Sequence, residues 1–324
     1  IAWGSSAYNK LKAFDDELLK HPDARENLDA WYQKLAPQMK QWNASVSHWL
    51  VVAREAHEAG KPIPPMPAYS TDLGNAHTPT VLYNGMLAPL AGESVAGLLW
   101  YQGESDAILN EDASYRQLLQ GVINGVRDLV GQVPAVVVEL PRHYDIQSAR
   151  PDDAWPAVRW AQQQVAMNDP TCGLVNAIDL GDTRMIHPTR KRELARRCSE
   201  IAMTLAYPDN ATDLKHGRHG PVIKQARQSQ EGVDLVFHGV AGRLAMASHP
   251  ETSGTPQAVF EVAMRGQWQR AEAQIISDQQ VRLVVPADQR VTMVRYAWRG
   301  DVLPMLVDEE GWPVAGFSVM LPWG

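Results

Sequence analysis

Two stretches of this sequence gather side chains able to do acid–base chemistry on a carbonyl group. The first is Trp100-Tyr101-Gln102-Gly103-Glu104-Ser105-Asp106, a crowd of polar groups directly after the apolar pair Leu98-Leu99. Gly103 lets the backbone turn tightly. That turn would leave the Gln102 amide free to donate to a developing oxyanion and the Glu104 carboxylate free to accept from an imidazole. The same residues would also serve as a plain strand-to-helix turn in which Glu104 or Ser105 caps the next helix. The second stretch is Asp179-Leu180-Gly181-Asp182-Thr183-Arg184-Met185-Ile186-His187-Pro188. His187 stands between a short loop and the rigid ring of Pro188, so its imidazole is held by the backbone as a general base requires.

Such groups need elements to hold them. Val95 to Trp100 is a short apolar run, and the helical stretch Ala113 to Leu129 follows it, which predicts a strand feeding a helix. The alternation continues with Ala135 to Leu140 as a buried strand, Trp155 to Met167 as a helix, Gly173 to Ile178 as a strand and Arg190 to Tyr207 as a helix. That order implies an α/β fold on a parallel sheet, in which ligands bind beyond the C-terminal ends of the strands. Both polar stretches lie at such ends. Upstream, Leu28, Trp31, Leu35, Met39 and Trp42 recur at helical spacing, and two helices are predicted between Ser6 and Gly60. Pro62, Pro64, Pro65, Pro67 and Pro79 make Lys61 to Thr80 a loop. After Pro208 the runs Val233 to Phe237, Ala258 to Met264, Val281 to Val285 and Val291 to Trp298 predict an antiparallel β unit. The expected domains are 1–207 and a β-rich accessory unit over 208–324.

Composition narrows the function. The 324 residues carry 37 acidic and 30 basic side chains, interspersed, for a formal charge of −7. No basic stripe is present to neutralise a phosphate backbone, so nucleic acid is not an expected partner. No apolar run approaches the roughly 20 residues of a membrane helix, and a soluble chain with no membrane partner is expected. The 11 Trp outnumber the four Phe, and amphipathic rings of this kind suit stacking on sugars as well as ordinary core positions. Cys172 and Cys198 lack metal-ligand spacing and leave a free buried pair and a single disulfide equally open. His216 and His219 are close in sequence, but nothing completes a zinc site around them, so a solvated loop and no metal are expected.

In order, Pro79-Thr80-Val81-Leu82-Tyr83-Asn84-Gly85-Met86, Trp100 through Asp106, Asp179 through Pro188 with Lys191, and Val294-Arg295-Tyr296-Ala297-Trp298 resemble the blocks of sialate O-acetylesterases, carbohydrate esterases of the SGNH hydrolase type. The resemblance implies Ser-His catalysis that removes O-acetyl groups from sugars, with no cofactor. Sialic acid is one implied substrate, and plant-wall polysaccharides such as xylan or xyloglucan are others. It makes His187 the catalytic base and Gln102 the oxyanion donor, and it suggests a secreted or periplasmic setting.

Two departures follow. The family's nucleophile lies in a Gly-Gln-Ser-Asn block that this sequence lacks. The expectation is therefore that N-terminal strands of the domain, with the serine, reside on a preceding segment or companion chain. The family's acid shortly before the histidine is also absent, since Arg184 and Met185 stand there. Glu104 is the first candidate to orient His187 and Asp182 the second, and a backbone carbonyl would leave a dyad. Two other readings remain. Gly103 to Ala107 nearly fits a nucleophile elbow, with Ser105, then Asp179 or Asp182, then His187 in the chain order of α/β-hydrolases. A non-catalytic carbohydrate-binding protein would account for the missing serine and the abundant Trp. Substrate contacts are expected in the Pro-rich loop and around His143-Tyr144.

Overall fold

A computed structural model describes residues 24–68, 86–108, 112–143, 154–211, 213–247 and 257–322. The chain divides into two compact units: residues before Ser94 together with Gln120–Gly131, and Ser94–Leu119 together with the residues from Gln132 onward.

In the first unit, helix α1 runs unbroken over Ala24–Glu58 and carries Pro37 inside it. This is one of the two helices expected between Ser6 and Gly60, and its stripe Met39, Trp42, Val46, Trp49 and Ala53 keeps helical phase beyond the proline; the part of that span before Ala24 lies outside the described residues. The indole of Trp49 donates to the Pro64 carbonyl at 2.8 Å and holds the Pro-rich segment to the helix. Residues 61–68 have no regular structure, as so many missing amide donors dictate; the rest of that predicted loop lies outside the described residues.

The second unit begins with strand β1 (Leu98–Trp100), the short helix α2 (Glu104–Ile108) and helix α3 (Asp112–Val130), in which the boundary between the units falls. Strand β2 (Ala135–Val138), helix α4 (Ala154–Asn168), strand β3 (Cys172–Val175) and helix α5 (Lys191–Ala206) follow. The three strands form a parallel sheet in the order β1-β2-β3, with Leu98 opposite Ala135 and Val136 opposite Gly173. Ala-Val-Val-Val in β2 and Cys-Gly-Leu-Val in β3 are buried throughout, as strands covered on both faces must be. Leu194, Cys198 and Ile201 of α5 pack against Val136, Val138 and Val175. Both cysteines are free and buried, which settles the question the sequence left open.

The two edges of this sheet differ. Beyond β3 the chain returns at 218–219, where Leu174 pairs with His219 in a parallel bridge and its amide donates to the Arg218 carbonyl at 2.9 Å. Beyond β1, no strand pairs among the described residues, and Leu99 is 58% exposed. A groove of about 360 Å³ opens beside it, lined by Leu98, Leu99, Val136, Ala202, Met203 and Leu205 among others.

The antiparallel unit that the sequence predicted is a seven-stranded sheet of β4 (Val222–Ser229), β5 (Gly232–His238), β7 (Phe260–Met264), β8 (Gln267–Ser277), β9 (Gln280–Val284), β10 (Val291–Tyr296) and β12 (Phe317–Met320). Strands β6 (Leu244–Met246) and β11 (Leu306–Asp308) pair separately. Phe237, Phe260, Tyr296 and Phe317 fill its core, with Phe260 and Tyr296 stacked at 4.5 Å. Among the described residues, no helix is long and apolar enough to cross a membrane.

Candidate active site

The polar turn after β1 is built around Gln102 and Gly103. Gln102 donates from Nε2 to Asp106 Oδ2 at 2.6 Å, while its carbonyl accepts from Tyr115 Oη at 2.6 Å and from Gln162 Nε2 at 2.9 Å. Gly103 adopts φ +152°, and a Cβ there would lie 2.9 Å from Val158 Cγ1, so only glycine lets the turn pass this close to α4. Glu104 Oε2 accepts from the Gly103 amide at 2.9 Å, and Ser105 is exposed on the first turn of α2. The Tyr101 ring lies under the Lys191 ammonium, 4.7 Å from its centroid. Burial raises the Tyr101 phenol well above its usual range, and the Glu104 carboxylate nearby adds to the shift.

Beyond β2, buried Arg159 gathers carbonyls: Nε donates to Leu140 at 2.9 Å, Nη1 to Arg299 at 2.8 Å and Nη2 to Gly300 at 2.5 Å. Arg142 Nη1 bonds Asp301 at 2.6 Å and Thr183 Oγ1 at 3.1 Å. His143 Nδ1 faces the Asp182 carbonyl at 3.4 Å; Tyr144 lies outside the described residues.

Glu139, directly after β2, is 1% exposed. Burial pushes its carboxyl up to about 7, against the pull of the Arg159 guanidinium. The amides of Gly316 and Ala177 approach without reaching hydrogen-bond geometry. A carboxyl raised on folding gives stability that is fully present below about 4.5 and lost as the pH rises through about 7. At roughly 1.4 kcal/mol per pH unit, that loss amounts to about 3 kcal/mol. Glu139→Gln is therefore expected to raise the unfolding temperature over the parent at pH 8 far more than at pH 5. An equal effect at both pH values, measured by thermal unfolding, would refute the argument.

Beyond β3 the chain makes a 3-10 turn at Ile178–Leu180 and runs into the loop that carries His187. A Cβ on Gly181 would sit 2.1 Å from the Arg142 carbonyl oxygen, so this loop is pressed on the one after β2. Asp182 Oδ1 accepts from the amides of Arg184 at 2.8 Å and Met185 at 3.2 Å, and the Arg184 bond is the main force lowering its carboxyl below the usual range. Asp179 is claimed at both oxygens by Arg197, at 2.7 and 2.8 Å. His187 is exposed and, among the described residues, its side chain has no hydrogen bond.

Lys191, at the start of the helix that follows the His187 loop, lies over Tyr101 beside the Gln102 turn. The structure joins neither Glu104, Asp182 nor Ser105 to His187 by a hydrogen bond among the described residues. The expectation of a solvated loop at His216 and His219 is overturned, because both are buried. His216 spans Glu200 Oε1 at 3.0 Å and Asp308 Oδ2 at 2.7 Å, which draws it inward. Burial lowers His219 to about 4. Among the described residues, no group of three or more His, Cys, Asp or Glu is arranged to hold a metal ion. Tyr115, Gln162, Arg142 and Arg197 escaped the sequence reading, because each works at a distance from the motifs that only folding closes.

The parallel α/β sheet carries both polar stretches beyond the C-terminal ends of its strands. Residues 70–203, which hold both constellations, match the family described as carbohydrate esterase, sialic acid-specific acetylesterase. The chain is 27% identical to the sialate O-acetylesterases of Homo sapiens and Pongo abelii over 242 residues, covering 68% of this chain and 44% of each relative. The rat protein is 27% identical over 244 residues, with 68% and 42% covered. A carbohydrate acetylesterase from Xanthomonas citri superposes with a TM-score of 0.64 at 25% identity, over 85% of this chain and 64% of that one. The chain thus spans less than half the length of these curated relatives.

Proposed function

We propose that this chain is the histidine-bearing part of a carbohydrate O-acetylesterase, with residues 1–207 in the hydrolase domain and 208–324 as its β-rich accessory. The observation that carries the reading is that both polar stretches follow strands of one parallel sheet and that Lys191, four residues after His187, lies 4.7 Å from the centroid of Tyr101, the neighbour of Gln102. A serine on a strand outside this sequence attacks the acetyl carbonyl. His187 takes its proton and returns it to the sugar oxygen, while Gln102 and backbone amides hold the oxyanion. Water then releases acetate by the same route. Glu104, or less favourably Asp182, orients the imidazole.

The open edge of β1 supports a strand from elsewhere in the protein. An extended segment there would satisfy backbone groups that no strand pairs among the described residues and would lay apolar side chains into the groove between β1 and α5. The companion strand also carries the nucleophile toward the C-terminal ends of the strands, after which Gln102 and His187 lie. Substrates are O-acetylated sialic acid, as the relatives' names suggest, or acetylated xylan and xyloglucan.

Labelling the full-length protein with a serine-directed phosphonate and mapping the adduct by peptide mass spectrometry tests the assignment. The adduct is expected on a serine outside this sequence, in a preparation that releases acetate from an acetylated sugar. An adduct on Ser105 would overturn it and leave the self-contained α/β-hydrolase arrangement, and sugar binding with neither adduct nor acetate release would leave a carbohydrate-binding protein.

A further inference from the structure

We infer that Arg197 is a positioning residue for the reaction, fixing through Asp179 the loop that carries His187. The inference rests on the assignment of His187 as the base. Arg197 is only 3% exposed, and its guanidinium is almost fully engaged. Nη1 and Nη2 fork onto the two oxygens of Asp179 at 2.7 and 2.8 Å, Nη1 also donates to the Asn176 carbonyl at 2.7 Å, and Nε donates to Glu193 at 3.1 Å. A planar fork bound on three sides has one orientation, which a lysine ammonium in the same place would not share.

Asp179 is the node at which the loop closes. Its carboxylate is held by Arg197, and its carbonyl accepts from Arg190 Nη1 at 3.1 Å. The stretch between these residues, with His187 inside it, therefore starts and ends on one anchored residue. His187 has no hydrogen bond of its own among the described residues, so its ring position is inherited from the loop.

Behind Arg197 stands the β-rich segment. The guanidinium faces the Trp312 ring at 5.3 Å, and that indole also stacks with His216 at 3.9 Å. His216 is clamped between Glu200 and Asp308, and Asp308 also receives the Trp312 amide at 2.9 Å. Trp312 is fully buried, so the β-rich segment gives Arg197 a rigid backstop, and the order of the histidine loop depends on residues more than a hundred positions downstream.

The test compares Arg197→Met and Arg197→Lys with the parent in the full-length protein, with turnover normalised to folded protein measured by tryptophan fluorescence well below the unfolding temperature. Arg197→Met is expected to lower kcat about a hundredfold with KM changed less than about threefold, since displacement of a reacting group by about 1 Å costs that much. Arg197→Lys should recover part of the loss. If Arg197→Met does not fold, Asp179→Asn, which keeps the side-chain shape and loses the charge pair, should show the same fall in kcat. A parental kcat in the folded variants, with only the unfolding temperature lowered, would make the contact purely structural and overturn the proposal. His187→Ala in the same assay separates the two readings: parental turnover there sinks the base assignment itself, whereas lost turnover there beside parental Arg197 variants sinks only the positioning role.

Discussion

His187→Ala in the full-length protein is expected to lower kcat on an acetylated sugar by at least about a thousandfold while leaving KM and the unfolding temperature close to the parent's. The size follows from the chemistry. An unassisted serine hydroxyl is a poor nucleophile near neutral pH, and the same imidazole must also protonate the departing sugar oxygen, so both halves of the reaction lose their proton carrier. The absence of a stability effect follows from the structure. His187 is exposed, and among the described residues its side chain has no hydrogen bond to lose. Surface substitutions of this kind usually change stability by less than about 0.5 kcal/mol. Steady-state kinetics beside a thermal melt checks both halves, and a kcat within tenfold of the parent would remove His187 from the mechanism.

The legible part of the fold was its periodic part. Helices α3, α4 and α5 and the cores of β2 and β3 were read within a few residues, because each buries a regular stripe or an unbroken apolar run that local sequence displays. Strand β8 was not, since most of Gln267–Ser277 is exposed and its polar residues resemble a loop; its pairing with β7 and β9 makes it a strand. Helix α1 continues through Pro37 because a proline lowers helix propensity locally but does not forbid a helix whose phase continues on both sides.

At the site the pattern is similar. Gln102, Glu104, Asp182 and His187 were singled out because they sit in motifs at strand ends, where the backbone explains their neighbours. Arg197, Tyr115 and Gln162 were hidden, because their bonds to Asp179 and Gln102 cross 13 to 60 residues of sequence. His216 was read as solvated because its partners Glu200 and Asp308 are 16 and 92 residues away. Asp179 was one of two acids considered for the α/β-hydrolase arrangement with Ser105, and its engagement by Arg197 at both oxygens gives it a different occupation.

The orienting acid is where the remaining large effect is expected. Glu104→Gln should lower kcat by several orders of magnitude, about as loss of the acid does in the Ser-His-Asp template, whereas Asp182→Asn should cost less than about tenfold. The hydrogen bonds already on each carboxylate argue for this ranking. Asp182 turns Oδ1 onto the amides of Arg184 and Met185 and so closes its own loop, and an asparagine oxygen can accept the same bonds. Glu104 spends Oε2 on the Gly103 amide, which fixes its carboxylate beside the Gln102 turn. Its charge is felt by the Tyr101 phenol, and the ring of Tyr101 lies under Lys191, four residues after His187. A glutamine at 104 would keep the shape and could still accept from Gly103, but it would present a donor or a neutral oxygen where an imidazolium needs a charge. Its cost should therefore appear in kcat, with KM and unfolding temperature nearly unchanged. The reverse ranking in side-by-side kinetics would transfer the role to Asp182, and mild effects from both, beside an inactive His187→Ala, would leave a serine–histidine dyad held by backbone.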